Sequence, residues 1–314
     1  MRGELLHALE FPLPPPGEDI VGQVQVIQAK YEDTFADLGT KYDLGYLEMT
    51  PPTRAWTRGC RVLARTLCCR PASFCRRSRE GIVINLAEYR MYYYPKGQNV
   101  VHTYPLASVV KVGGRLSVCQ GDGQDPEPDL DTPCLDQSRA CCRRRSVAHV
   151  VPAGPDNPLG PFKFGLGLSG YLIHGSNKKF GIGMRTSHGC FRMYNNNVLE
   201  LADMAPVGTT VRIISEPYKF GLSGGKVYLE AHTPVEDLGN PSVVDKHTAV
   251  INALLKRDDL ANNLRMNWDM VRDVVAAEDA CRWRLQCLGS LLQERKSRTS
   301  FSRASLRIHA GALS

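Results

Sequence analysis

Between Gly81 and Pro217 the chain is written in short apolar runs punctuated by proline and glycine, the pattern of a β-sheet protein rather than a helical one. Residues 81 to 106, GIVINLAEYRMYYYPKGQNVVHTYPL, read as a β-hairpin. Val83, Asn85 and Ala87 alternate against Ile82, Ile84 and Leu86, Pro95-Lys96-Gly97 supplies the turn, and Val100 to Tyr104 return. Tyr92, Tyr93 and Tyr94 fall inside it and are expected to pack rather than to form a sugar-stacking platform. From Val151, VPAGPDNPLGPFKFGLGLSGYLIHG gives a Pro/Gly-rich loop and then two strands. VLELADM, 198 to 204, is apolar at i, i+3 and i+4 and predicts a helix, and GTTVRIISEP, 208 to 217, closes as a strand. The expected fold is mainly β.

Upstream, residues 21 to 49 open with Val24 and Val26 alternating against Gln23 and Gln25, then turn helix-like at Phe35, Leu38 and Tyr42. A chain of 314 residues, 43% hydrophobic and 23% charged, has room for one sizeable core and a small accessory module. The chain divides into a segment at 1–20, the module at 21–79, a catalytic unit at 80–217 and an extension at 218–314. No run approaches the roughly 18 to 20 apolar residues of a membrane span, and the opening MRGELLHALEFPLPPPGED lacks the apolar centre of a signal peptide, so export is not legible here.

Eleven cysteines suggest a disulfide framework or a zinc protein until their positions are read. Ten fall in three patches, at 60–75, 119–142 and 281–287, with adjacent pairs and no CxxC partnered by a second CxxC or HxxxH, so metal-ligand spacing is absent. Neither a metal nor a cofactor is expected. The net charge of +7 is equally local: residues 51–79 hold eight arginines and no acid, and 281–314 hold seven Lys+Arg against one Glu, which leaves the remainder net negative. No basic face with interleaved aromatics emerges, so nucleic acid is not an expected partner. The tail LQERKSRTSFSRASLRIH could serve as a basic anchor, but its patchy composition argues for noise.

Only Cys190 stands outside the patches, within IHGSNKKFGIGMRTSHGCFRM, residues 173 to 193. A cysteine is useful for acyl transfer as its thiolate, and a nearby base or helix N-terminus promotes that form. Cys190 is expected to enter the following helix, with Gly189 allowing close backbone approach, His188 two residues upstream, and His174 returning on a neighbouring strand. In isolation a cysteine is a small core hydrophobe; two histidines and the glycine context reverse that reading. His102 and His149 have no such context and are read as surface or filler.

The segment HG, then SHGC, then an aromatic residue and Arg, resembles the YkuD-type catalytic domain of the L,D-transpeptidases, cysteine enzymes of peptidoglycan. PAGPDNPLG before it and VGTTVRI after it agree with that order. The resemblance implies a β-sandwich with a short helix after Cys190, preceded by a partial α/β LysM-like module. It implies Cys190 as the nucleophile, His174 as its base, and His188 hydrogen-bonding within the site. The amides of Gly189 and Cys190 would form the oxyanion hole, with Ser187, Arg192 and Gly175 supporting the loop. Implied partners are peptidoglycan stem peptides, an outer-membrane lipoprotein as one acyl acceptor, and carbapenems as inhibitors, in the periplasm. The rival functions are a non-catalytic peptidoglycan-binding protein and another cell-wall cysteine peptidase; NlpC/P60 peptidases place Cys before His, and sortases lack SHGC.

Two departures stand out. Asn197 occupies a position where relatives commonly carry an acid, and is expected to cap the helix instead. The Cys/Arg-rich patches replace expected family text, and one-base shifts with chosen codons recover it: Ala107 to Gly113 can spell GIGREGW, Gln120 to Arg143 can approach KVTAKTPNPTWTPPASIKAEHAAEG, and Ala280 to Leu285 can become GVPVEI. Residues 53 to 77, similarly shifted, complete the LysM-like text. A frame disruption in 53–79, 107–149 and 281–314 is therefore expected, with exposed apolar surface in the middle of the catalytic unit and impaired activity.

Overall fold

The computed structural model describes residues 9–22, 24–28, 30, 32–50, 61–65, 68–69, 80–109, 119–120, 123–126, 130–131, 150–151, 156–166, 171–187, 190–234, 245–261, 264–281 and 283–291. Its catalytic unit is two sheets face to face. The larger has six strands in the order Leu9–Pro12, Val100–Pro105, Arg90–Tyr94, Gly81–Asn85, Thr210–Ile214, Cys119–Gln120. The smaller has four, in the order Gly123–Pro126, Phe162–Gly165, Leu172–His174, Phe191–Arg192.

Period-2 alternation decides what fills the space between them. Ile82, Ile84, Met91, Tyr93 and Tyr104 of the first sheet meet Phe162, Phe164, Ile173 and Phe191 of the second, and Val198 and Leu201 of the helix Asn195–Met204 close the cluster. The other face of the first sheet is covered as well, because Val83, Tyr92, Tyr94 and Val101 pack with Leu13 and Val21. The three tyrosines are thus divided between two cores, as packing residues. Each such burial is worth about 2 kcal/mol. Among the described residues of this unit Ile84, Tyr104 and Phe191 are all 0% exposed, while Phe180 and Val207 stand out at 70% and 61%. Short strands from within 107–149 contribute here: Cys119–Gln120 pairs with Val211 and Thr210, and Gly123–Pro126 pairs with Phe162–Gly165.

The expected hairpin at 81–106 is a three-stranded meander, because the chain reverses twice. The additional reversal, Leu86–Tyr89, contains neither glycine nor proline and ends with Tyr89 at φ +57°. A side chain supplies what turn residues would: Asn85 Nδ2 donates to the Glu88 carboxylate and to Glu216 O (3.0 Å), while Asn85 Oδ1 accepts from Glu216 N (2.9 Å). His102 is buried, 4.0 Å from Glu200, a filler rather than a surface residue, and His149 lies outside the described residues.

Before the sandwich, the strand Val24–Gln28 and the helix Phe35–Tyr42 form where the pattern placed them, and Arg61–Arg65 pairs with Val24–Gln28 on one side and Met49–Thr50 on the other. Thr34 starts the helix by accepting a hydrogen bond from Asp37 N (3.1 Å), and Asp43, at φ +52°, ends it. After the sandwich, Tyr218–Ser223, Lys226–His232, Trp283–Leu291 and Leu264–Met266 form a separate C-terminal sheet, in that order. The helices Lys246–Leu255 and Trp268–Cys281 cover it through Val250, Leu254, Val271 and Val275. Trp283–Leu291, within the stretch expected to be frame-disrupted, is an inner strand of this sheet; the basic tail beyond it lies outside the described residues.

A buried charge cluster ties the C-terminal sheet to the larger sheet of the sandwich at its turn 86–89. Lys219, fully buried, pairs with Glu88 (2.8 Å) and Glu230 (3.0 Å), and His232 lies 2.9 Å from Glu230. Glu88, Glu230 and His232 are close enough together to hold a cation, and the Lys219 ammonium already supplies one. Among the described residues no helix is long and apolar enough to cross a membrane.

Candidate active site

Cys190 immediately precedes the strand Phe191–Arg192, which runs parallel to Leu172–His174 with Ile173 opposite Phe191 and His174 opposite Arg192. Ile173 and Phe191 enter the core at 1% and 0% exposure. Alternation then puts Leu172, His174, Cys190 and Arg192 together on the opposite face, on strands about 4.8 Å apart. By this register Leu172 lies opposite Cys190, and His174 stands two positions further along the same strand, on the same face.

The surroundings of His174 define its chemistry. It is 3% exposed, and its Nδ1 lies 2.5 Å from Gly175 O. A carbonyl can only accept, so Nδ1 carries the proton and Nε2 keeps its lone pair. Burial pushes the imidazole down to about 4, with Arg192 reinforcing and the backbone of Gly175 and Leu159 opposing. The ring is neutral at physiological pH. Burial also pushes the half-buried Cys190 thiol up, against a backbone hydrogen bond involving Leu172 and the positive charge of Arg192. Burial thus favours the neutral form of both side chains, thiol and imidazole.

Two expectations need correction. Cys190 does not enter the helix: a two-residue strand intervenes, and the helix begins at Asn195 after Tyr194. The N-terminal dipole acts within the first turn and is five residues too late for the thiol. Asn197 does not cap that helix either, since the N-cap is Tyr194 with no side-chain hydrogen bond. Asn197 is buried in the first turn, and its Nδ2 donates to Asp43 Oδ1 at 2.5 Å.

The remaining predicted residues divide by position. Gly175 is buried beside His174, where an added Cβ would lie 2.5 Å from Asn195 Oδ1 and 2.8 Å from Pro161 Cδ. The same Asn195 Oδ1 accepts from Ser176 N (2.8 Å). Arg192 exchanges backbone hydrogen bonds with Ala107, 3.1 and 2.8 Å, fixing the strand that follows Cys190. Ser187 ends the strand Arg185–Ser187, parallel to Ser108–Val109. His188 and Gly189 lie outside the described residues.

Sequence reasoning overlooked Asn195, Tyr194 and Asp43. Asn195 stood in plain view within Tyr194-Asn195-Asn196-Asn197, but its partner, a backbone amide 19 residues earlier, leaves no local signal.

A strand-borne histidine on the same sheet face as a cysteine at the entrance of a parallel strand, inside a two-sheet sandwich, defines the class. The model describing the YkuD L,D-transpeptidase catalytic domain matches residues 79–213. The chain is 33% identical over 271 residues to the probable L,D-transpeptidase ErfK/SrfK of Salmonella typhimurium, covering 81% of this chain and 85% of that one. It is 34% identical to the probable L,D-transpeptidase YbiS of Escherichia coli K12, over 73% of this chain and 76% of that one. To YcfS of the same strain it is 33% identical, over 72% and 73%. The chain belongs to the L,D-transpeptidase family, and is an acyltransferase of that kind.

Proposed function

We propose that Cys190 is the nucleophile of this L,D-transpeptidase and His174 the base that serves it. One observation carries the reading: a neutral imidazole with its Nε2 lone pair unprotonated shares a sheet face with the cysteine. As Sγ attacks the carbonyl carbon of the L,D-peptide bond in a peptidoglycan tetrapeptide stem, Nε2 takes the thiol proton. The developing oxyanion is held by backbone amides, those of Gly189 and Cys190 in the family pattern. Collapse breaks the C–N bond, and His174 returns its proton to the departing amine of the terminal D-residue. An acceptor amine then attacks the thioester, losing a proton to His174 as the new amide forms and the thiolate leaves. The acceptor is a second stem peptide or a lipoprotein lysine, and the compartment is the periplasm, where peptidoglycan lies. His188 hydrogen-bonds within the site and Ser187 supports the loop.

Arg192 supports this chemistry by adding to the burial that keeps His174 neutral and by opposing the burial that raises the thiol. The N-terminal module, LysM-like in its pattern, holds glycan near the site. The test is incubation with a disaccharide-tetrapeptide. Loss of the terminal D-residue and formation of a cross-linked dimer are expected, both abolished in Cys190→Ala and reduced about 10²-fold or more in His174→Ala. Turnover by Cys190→Ala at the native rate would overturn the assignment.

A further inference from the structure

The mechanism leaves one set of contacts unused: those between residues 34–48 of the N-terminal module and the two segments that flank the nucleophile. On one side, the chain leaving Cys190 is gripped four and seven residues later. Tyr194 Oη donates to Leu44 O (3.0 Å), and Asn197 Nδ2 donates to Asp43 Oδ1 (2.5 Å), all within the buried interior. Gly39 makes room for that tyrosine, since a Cβ there would lie 2.7 Å from Tyr194 Oη.

On the other side, the loop leaving His174 is held by the same module. Tyr46 N donates to Ile182 O (2.9 Å) and Lys179 Nζ to Asp37 Oδ1 (2.6 Å). Gly45 and Gly183 approach so closely that a Cβ on Gly183, at φ +83°, would lie 2.3 Å from Gly45 Cα. The Lys179–Asp37 pair is half exposed and worth little by itself. The backbone contacts and the buried amide–carboxylate pair are not screened in that way.

We propose that Asp43 is a positioning residue for the transfer reaction, holding the Cys190 strand in place through Asn197, with Tyr194 and Leu44 as the second point of the same grip. The accessory module is then part of how the site is assembled. Asp43 is itself held by the larger sheet of the sandwich, because Leu9 N donates to its carboxylate (3.4 Å) and Arg90, paired with Glu48 of the module at 2.7 Å through two nitrogens, reaches its backbone carbonyl (3.4 Å). Displacement of the nucleophile by a fraction of an ångström is costly to a reaction that depends on near-attack geometry.

The inference rests on Cys190 being the nucleophile, and the experiment separates the two. Four full-length proteins are compared: wild type, Asn197→Asp, the exchange Asp43→Asn/Asn197→Asp, and Tyr194→Phe. The first readout is the rate of acylation by a carbapenem, followed by intact mass. The second is the rate of Cys190 alkylation by iodoacetamide, localised by peptide mapping. Asn197→Asp sets carboxylate against carboxylate and should slow acylation about tenfold or more, while the exchange restores an amide–carboxylate pair and should recover it to within about threefold. Tyr194→Phe removes one hydroxyl and should lower the maximal acylation rate about threefold without weakening carbapenem binding. Alkylation should change in Asn197→Asp and revert in the exchange. If wild type is alkylated but never acylated, the nucleophile assignment fails, and the alkylation series alone decides the inference. Native rates of both reactions in a folded Asn197→Asp, or in Tyr194→Phe should the former not fold, would overturn it.

Discussion

At the scale of single residues the protonation states of the site can be measured. With Cys190 pushed up by burial and His174 held at about 4, alkylation of Cys190 should climb steadily from pH 7 to beyond 9, with no plateau near neutrality. Arg192→Gln should move that rise to higher pH, since the guanidinium opposes the effect of burial. A plateau by pH 7 would mean a standing thiolate–imidazolium pair. Asp43 supplies the second titration. Burial raises its carboxyl from 3.8 to about 7, against the hydrogen bond from Asn197 and the charge of Arg90. A raised folded-state value means the contribution to stability is fully present below about 4 and lost as the pH rises through 7. Wild type should therefore gain about 2 kcal/mol relative to Asp43→Asn between pH 8 and 5.5, read from chemical denaturation at each pH. A parallel response of the two proteins would contradict this.

At the scale of elements, the parts legible from sequence were those whose signal is local. The strands of 81–106, the helix after Cys190 and the strand Thr210–Ile214 follow from alternation and spacing, and the second turn of the meander escaped because Asn85, rather than glycine or proline, makes it. The candidate pair His174 and Cys190 was legible as residues, but their shared face was not, since a parallel register depends on what lies between the sheets. Phe191 illustrates the dependence: it fills the core at 0% exposure while its neighbours on either side, Cys190 and Arg192, belong to the proposed site. Phe191→Ala should cost about 3–5 kcal/mol and abolish turnover, measured by urea denaturation and by dimer formation. Gly175→Ala should fail more locally, losing activity through the clash with Asn195 while most of the sandwich persists. Normal activity in either variant would show that the site does not need this packing.

At the scale of the whole molecule, the sandwich is gripped from both ends. The N-terminal module holds the segments around Cys190, and the C-terminal sheet is anchored through Lys219. Lys219→Met would leave Glu88 and Glu230 buried without their cation and should cost about 3–5 kcal/mol. None of this was visible in advance, because contacts such as Lys219 with Glu88 join residues more than a hundred positions apart in the chain. The Cys/Arg-rich patches belong to the same scale. Resequencing the DNA across codons 50–79, 106–150 and 279–314 is expected to reveal single-base shifts; an uninterrupted frame would make the described strands within those patches native parts of the fold.

The most direct test of the central claim is the mass of the full-length protein after exposure to a carbapenem. The account predicts a stable adduct of one inhibitor, located on the peptide containing Cys190 and absent from Cys190→Ala. An unmodified protein that is nonetheless folded, or an adduct on a cysteine other than Cys190, would contradict it.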